Sequence, residues 1–375
     1  MNYLSNSFIT NKTVILRCDF NVPVSNNEIL DDTKIVKSLK TINYLLENNN
    51  RIIILSHFGR VKSEDDLKNN SLEIVYNELK KYVKVSFYKE IFNYDVNNLN
   101  YGECVLFENT RFTDIPFKRE SANDDELSKY FASLGDVFVM DAFGTSHRRH
   151  SSTYGISKYL PTYVGFLMEE EITNLNLLVN NPERPFIVIM GGAKVDDKIP
   201  LIKSIITKCD KLVLTGGILN SFLKAKGFEL GKSLVCTDES VYNDIAFIIE
   251  NYSNKLVFFN CFILEGKESL YKIEDICEDD IIVDNIINNI DLFKHSKTVF
   301  LNGTCGKYEN ISSCLGTKSL FETLSNVNSK VIAGGGDTYS AIRKFNYLNK
   351  FYYVSTGGGA TLEYIATGKI NVFDE

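Results

Sequence analysis

The 375-residue chain has only four histidines and, among its eight cysteines, no Cys-x-x-Cys pair and no cysteine/histidine cluster. A zinc site draws four such ligands from paired spacings, so the cysteines read as reduced, packed thiols. No apolar run approaches the ~20 residues of a membrane-spanning helix. The opening MNYLSNSFITNKTVIL lacks the positive end, apolar stretch and small-residue cleavage site of a leader. The expectation is a cytoplasmic protein without a membrane partner. The formal charge of −7 removes the basic face that nonspecific nucleic-acid binding wants. An anionic ligand must then be met by a local cluster of cations.

The common nucleotide signatures are missing as well. GTCGKYE has neither the spacing of a Walker A loop nor a Ser or Thr after its lysine, and the protein-kinase signatures do not occur. No Gly-x-Gly-x-x-Gly follows an early strand with an acidic residue about 20 further on, which excludes a dinucleotide-dependent dehydrogenase. Coiled-coil and repeat-array patterns are also missing.

What the chain does have is a repeated unit: an apolar, β-branched run, then glycine or polar residues, then a helix-like segment. That is the sequence form of βα units in a parallel sheet. The first half carries TVILRCDF, RIIILSHF, ECVLFENTRF and DVFVMDAF; the second carries PFIVIMGGAK, KLVLTGGI, KLVFFNCFIL, KTVFLNG, KVIAGGGD and FYYVSTGGG. At this length two domains are expected. The fold class is therefore α/β, with two doubly wound, Rossmann-like parallel sheets. Between them Phe166, Leu167, Ile172, Leu175 and Leu178 mark an amphipathic helix that NPERPF ends. We expect domains over 1–166 and 184–363, a hinge helix over 167–183, and a tail, 364–375, that packs back on the first domain.

Ligands of such sheets sit outside the carboxyl ends of the strands. In the first half those ends present Arg17, Asp19 and Asn21; His57 and Arg60; Asn109 and Arg111; Asp141, His147, Arg148 and Arg149. Four strand ends thus each supply an arginine, whose planar fork matches carboxylate and phosphate oxygens. A small, multiply charged anion is the expected ligand. In the second half the ends are glycine-rich: GGAK at 191–194, TGGI at 215–218, NGTCG at 302–306, GGGDT at 334–338 and TGGGA at 356–360. Glycine lets backbone N–H groups approach phosphate, and the following helix directs its positive end there. Asp337 reads either as an N-cap or as a carboxylate for Mg2+, which takes one or two carboxylates plus substrate phosphates. Lys194 and Lys198, four apart, read either as an exposed helix face paired with Asp196 and Asp197 or as cations for a transferring phosphoryl group. An anion-binding half and a nucleotide-phosphate half together suit phosphoryl transfer.

The segments RCDFNVPV, SHFGR, LFENTRF, DAFGTSHRRHSS, NPERPF, GGAKVDDKI, NGTCGKYE, GGGDT and STGGGATLE, in this order over nearly the whole length, resemble the phosphoglycerate kinase family. The resemblance implies a glycolytic enzyme, acting as a monomer, that moves a phosphoryl group between ATP/ADP with Mg2+ and the carboxylate of 3-phosphoglycerate. It further implies a phosphoglycerate site of Arg17, Asp19, Phe20, Asn21, Lys34, His57, Phe58, Gly59, Arg60, Arg111 and Arg148. The nucleotide side would comprise Gly192, Ala193, Lys194, Lys198, Gly216, Gly217, Asn302, Glu309, Gly335, Gly336, Asp337 and Thr338. Lys34, Lys194 and Lys198 would serve catalysis, Glu309 the ribose and Asp337 the metal.

The chain departs from the family at Lys34, where the family has an arginine, and on the base side at DNIINN (284–289), FFNCF (258–262), Leu301, Thr304 and Thr215. Ile286 and Ile287 are expected to narrow the base pocket or change which base is preferred, and NVFDE ends the tail a few residues early. A catalytically weakened paralogue that binds a ligand or partner is the competing expectation.

Overall fold

Runs such as TVILR and FIVIM are buried at every position, so apolar side chains point to both faces of the sheet. Only a parallel sheet covered by helices on both sides accommodates that. The computed structural model describes residues 1–288 and 290–373. The chain divides into two units, one formed by Met1–Thr173 with the tail from Lys369, the other by Asn174–Gly368.

The first unit contains β1 (Asn2–Tyr3), β2 (Thr13–Arg17), β3 (Val24–Ser25), β4 (Glu28–Ile29), β5 (Arg51–Leu55), β6 (Val85–Tyr88), β7 (Cys104–Phe107), β8 (Val137–Met140) and β9 (Thr162–Val164). Seven strands form a parallel sheet in the order β1-β9-β8-β2-β5-β7-β6, and β3 and β4 make a small hairpin. The order reverses beside β2, which pairs with β5 on one edge and β8 on the other. Leu16, Ile54, Leu106 and Val139 belong to the core between this sheet and its helices.

The second unit contains β10 (Phe186–Met190), β11 (Lys211–Leu214), β12 (Leu256–Val257), β13 (Phe262–Leu264), β14 (Leu270–Tyr271), β15 (Ile282–Asn285), β16 (Thr298–Asn302), β17 (Lys330–Ala333) and β18 (Tyr353–Val354). Its main sheet is parallel in the order β12-β11-β10-β16-β17-β18 and reverses between β10 and β16. β13, β14 and β15 form a separate antiparallel sheet. The run KLVFFNCFIL, expected as one strand, is therefore split between two sheets. Residues 258–261 leave the parallel sheet, and Cys261 accepts from Ile286 N–H as the antiparallel one begins.

One helix, Phe166–Val179, carries the chain from the first unit into the second. Residues 180–183 lie beyond its last turn. A second difference concerns Lys194 and Lys198. The helix after β10 begins only at Ile199, with Pro200 in its first turn and Lys198 at the N-cap, so the two lysines share no helical face. Proline suits a first turn because no partner awaits its missing N–H. Of the motif expectations, Asn289 in DNIINN and the last two residues of NVFDE lie outside the described residues.

Candidate active site

In the first unit the strand order reverses at β2, and the arginine-bearing turns at the carboxyl ends of β2, β7 and β8 bring their cations close together around His57, which follows β5. Asp19, after β2, accepts a 2.8 Å bond from Lys34 Nζ, which lies in the first turn of the helix Thr33–Glu47. Asn21 is exposed, and its Oδ1 accepts from the Gly59 N–H at 2.9 Å. Gly59 has φ +62°, and a Cβ there would meet Asn70 Oδ1 at 2.0 Å, so only glycine makes this turn. Its carbonyl accepts from Arg111 at 2.5 Å. The buried Asn109 ties the same turns together, bonding Phe58 N–H and carbonyl, Asn70 carbonyl and Arg111 N–H.

Arg60 and Arg148 are exposed and Arg111 is nearly buried. None of the three makes an ion pair among the described residues. Burial, then the neighbouring Arg148 and Arg17 cations, depress the Arg111 pKa, with Glu120 and Asp114 opposing, so like charges are held close together here. Three histidines lie in the same field. Burial, then the surrounding cations, pull His57 well below its usual value; burial and Arg148 bring His147 to about 4; burial and Arg17 bring His150 to about 3. They are neutral at physiological pH, so the excess positive charge belongs to lysine and arginine. Arg149 instead stacks its guanidinium 4.8 Å from the Tyr154 ring.

Three residues expected in this site lie beneath it. Phe20 is fully buried and Phe58 is 7% exposed, and both belong to the core. Arg17 is fully buried with all three nitrogens occupied, by Ser152 Oγ, the Cys18 carbonyl and His57 Nδ1. The sequence reading missed Ser152 and Glu120, on which Arg17 depends; the serines of HRRHSS were the available signal.

In the second unit the reversal between β10 and β16 brings two glycine turns into register. Gly191 N–H donates to Asn302 carbonyl at 2.7 Å and Gly192 N–H to Thr304 carbonyl at 3.1 Å. Above them is a cavity of about 340 Å3 lined by Gly192, Ala193, Gly216, Gly217, Glu309 and Asp337, all anticipated. Asn220, Leu234, Glu265, Ile281, Ile282, Val283, Lys307 and Tyr308, among others, line it too and were not anticipated. Glu265, Ile281, Ile282 and Val283 come from the antiparallel sheet and its flanks, whose short strands give little periodicity to read. Lys307 makes no ion pair among the described residues.

Asn302 and Thr338 are buried and tie the turns together: Asn302 Nδ2 donates to Gly334 carbonyl at 2.7 Å, and Gly303 N–H donates to Thr338 Oγ1 at 2.7 Å. Gly335, with φ +105°, is the N-cap of the helix Gly336–Lys344, and a Cβ on it would meet Asn302 Nδ2 at 2.3 Å. Asp337 is thus in the first turn rather than at the cap; it is exposed and makes no hydrogen bond or ion pair among the described residues. Gly336 is likewise exposed. Lys198 Nζ donates to the Gly191 carbonyl, and burial lowers its pKa to about 8 against the opposing charges of Asp337 and Asp197. Lys194 is exposed, and neither lysine pairs with Asp196 or Asp197.

No cluster of three or more His, Cys, Asp or Glu side chains that could hold a metal occurs among the described residues. The exposed carboxylate of Asp337, beside the glycines that line the cavity, fits Mg2+ delivered with nucleotide phosphates, since that ion keeps waters and needs few protein ligands.

The family model for phosphoglycerate kinase matches residues 4–369. The chain belongs to the phosphoglycerate kinase family. It is 42% identical to the phosphoglycerate kinase of Fusobacterium nucleatum, over 96% of this chain and 95% of that protein, and 41% identical to that of Onion yellows phytoplasma, over 96% of each. Among solved structures, phosphoglycerate kinase from Coxiella burnetii superposes with a TM-score of 0.87 at 33% identity, covering 99% of this chain and 96% of that one. The Pyrococcus horikoshii enzyme gives 0.85 at 25% identity, covering 99% and 97%. Both the α/β class and the two parallel sheets of this kinase family member agree with the sequence expectation.

Proposed function

We propose that the chain is an ATP:3-phosphoglycerate 1-phosphotransferase working in glycolysis. The observation that carries this reading is the glycine cavity lined by Asp337, beside the half-buried Lys198 that bonds the Gly191 carbonyl, in a chain whose other unit holds Arg60, Arg111 and Arg148 without an ion pair among the described residues. Arg60, Arg111, Arg148 and Lys34 meet the phosphate and carboxylate of 3-phosphoglycerate, with Asn21, His57 and Gly59 shaping the turn. Gly192, Ala193, Gly216 and Gly217 cradle the nucleotide phosphates, Glu309 takes the ribose, and Asp337 holds Mg2+. When bound, that ion neutralises charge on the phosphates.

A carboxylate oxygen of 3-phosphoglycerate attacks the γ-phosphorus of ATP; the bond from phosphorus to the bridging oxygen breaks and ADP leaves. The nucleophile is already ionised at neutral pH, so no general base is required. Catalysis rests on alignment and charge stabilisation, and Lys198 and Lys194 supply positive charge to the transferring group. Ligands held on different units must come together, and the helix Phe166–Val179 is where we place the bending. The protein is taken as a cytoplasmic monomer.

The test is a coupled assay of ATP and 3-phosphoglycerate with Mg2+, run beside Asp337→Ala and Lys198→Ala. We expect turnover in the parent and a loss of at least about a hundredfold in each variant. The departures from the family on the base side, of which Asp284 and Thr304 line the cavity, leave a second reading to be tested, a ligand-binding relative without turnover. A parent that binds 3-phosphoglycerate in calorimetry yet turns nothing over would establish that reading instead.

A further inference from the structure

A buried charge has to be compensated or it does not stay charged. Arg17 is fully buried and so is Glu120, and they are joined through one hydroxyl. Arg17 Nε donates to Ser152 Oγ at 2.9 Å, and Ser152 Oγ donates to Glu120 Oε1 at 2.5 Å. Glu120 also accepts from the Ser152 N–H at 3.0 Å and Thr110 Oγ1 at 3.2 Å, so its carboxylate is held from two segments of chain. The far end of the guanidinium is 3.2 Å from His57 Nδ1.

The direction of that last bond follows from chemistry. Guanidinium has five N–H donors, no acceptor, and keeps its proton in proteins. His57 Nδ1 must therefore accept, which leaves the ring proton on Nε2. Nε2 has no hydrogen-bond partner among the described residues, and the ring is 4% exposed. Arg17, Arg111, Lys34 and Arg148 surround the imidazole, so a second ring proton would join a field already positive.

We propose that Arg17, anchored through Ser152 to Glu120, is a positioning residue that locks His57 in its Nε2–H tautomer and so presents an uncharged donor to an anionic oxygen of bound phosphoglycerate. The lock itself depends only on the geometry; its use rests on the phosphoglycerate reading of this face. Arg17 then acts through His57 rather than on the substrate.

The full chain, labelled with 15N-histidine and free of ligand, is measured by long-range 1H–15N correlation, with His57→Gln assigning the ring. We expect His57 in one tautomer, Nδ1 bare and Nε2 protonated, unchanged from about pH 6 to about pH 8. Arg17→Met leaves Glu120 buried without its cation, which destabilises the fold, so Ser152→Ala is measured alongside: it keeps both charges and removes only the hydroxyl between them. Both variants should give a tautomer mixture and raise the KM for 3-phosphoglycerate about tenfold, the loss of roughly one hydrogen bond, with the KM for ATP unchanged. An Nδ1–H tautomer or a mixture in the parent overturns the proposal. So does a lock that survives in Ser152→Ala, or a lost lock with an unmoved KM. Should the parent bind no phosphoglycerate, the kinase reading fails, and the spectrum alone still decides the lock.

Discussion

Lys34 reaches Asp19 at 2.8 Å and the Asn21 carbonyl at 3.4 Å, so one ammonium serves two protein acceptors before any ligand arrives. The family's arginine would offer a planar fork at this point, able to keep one such bond and still face the substrate. A charge-assisted hydrogen bond is worth about 1.5–3 kcal/mol, which at the transition state is roughly tenfold to hundredfold in rate. Lys34→Arg should therefore raise kcat in the coupled assay by about tenfold or more; an unchanged or lower value would mean that a neighbour already compensates. The same scale shows which expected residues are poor probes of the site. Phe20→Ala would remove a fully buried ring at a cost of about 3–5 kcal/mol, so its loss of activity would report unfolding.

At the scale of elements, Asp141 connects β8 to the helix Phe166–Val179. Its Oδ1 accepts from Met168 N–H at 3.1 Å, and a Cβ on Gly165 would sit 2.3 Å from it. Burial pushes this carboxyl up to about 7, against bonds from Thr41, Met168 and Leu167 that pull it down. The unfolded chain titrates near the usual 3.8, so the folded chain holds the proton more tightly. Its contribution is full below about pH 4 and is lost as pH rises through about 7. Asp141→Asn should abolish that slope, leaving the variant more stable than the parent at pH 8 by on the order of 2–4 kcal/mol relative to their difference at pH 4. Urea midpoints across this range are the measurement, and parallel curves would refute it. Asp284, raised by burial to about 7 in the second unit, adds its own slope, so Asp141→Asn removes only part of the total.

The elements also show where sequence stops being informative. β2, β5, β8 and β10 were legible because almost every residue in them is buried. β12 and β18, two residues long, were found only as parts of the longer runs KLVFFNCFIL and FYYVSTGGG. β1 and β14 are as short and show no period, and the three-stranded antiparallel sheet was missed because its strands are brief as well. The strand ends exposed the chemistry because polar residues directly after apolar runs can only lie at the sheet's rim. Depth was not legible: Arg17 and Arg111 have the same side chain at equivalent places, yet one lies under the site and one in it. That difference comes from Glu120 and Ser152, more than 100 residues away in the chain.

On the scale of the whole molecule, the two clusters belong to different units, each at the reversal point of its own sheet. Each has its own fixed supports: Asn109 and Asn21 hold the arginine turns, and Asn302 and Thr338 hold the glycine turns. Neither set of supports draws on the other unit, so the two ligands should bind independently when offered singly. Arg111→Ala or Arg148→Ala should weaken 3-phosphoglycerate binding about tenfold to hundredfold and leave the nucleotide within about twofold, a shift worth only ~0.4 kcal/mol. Asp337→Ala and Lys198→Ala should do the reverse, losing turnover while keeping parental affinity for 3-phosphoglycerate. Calorimetry with one ligand at a time separates the cases. A fall in 3-phosphoglycerate affinity in Asp337→Ala would show that the sites are coupled before the second ligand arrives, and closure would then precede assembly of the ternary complex.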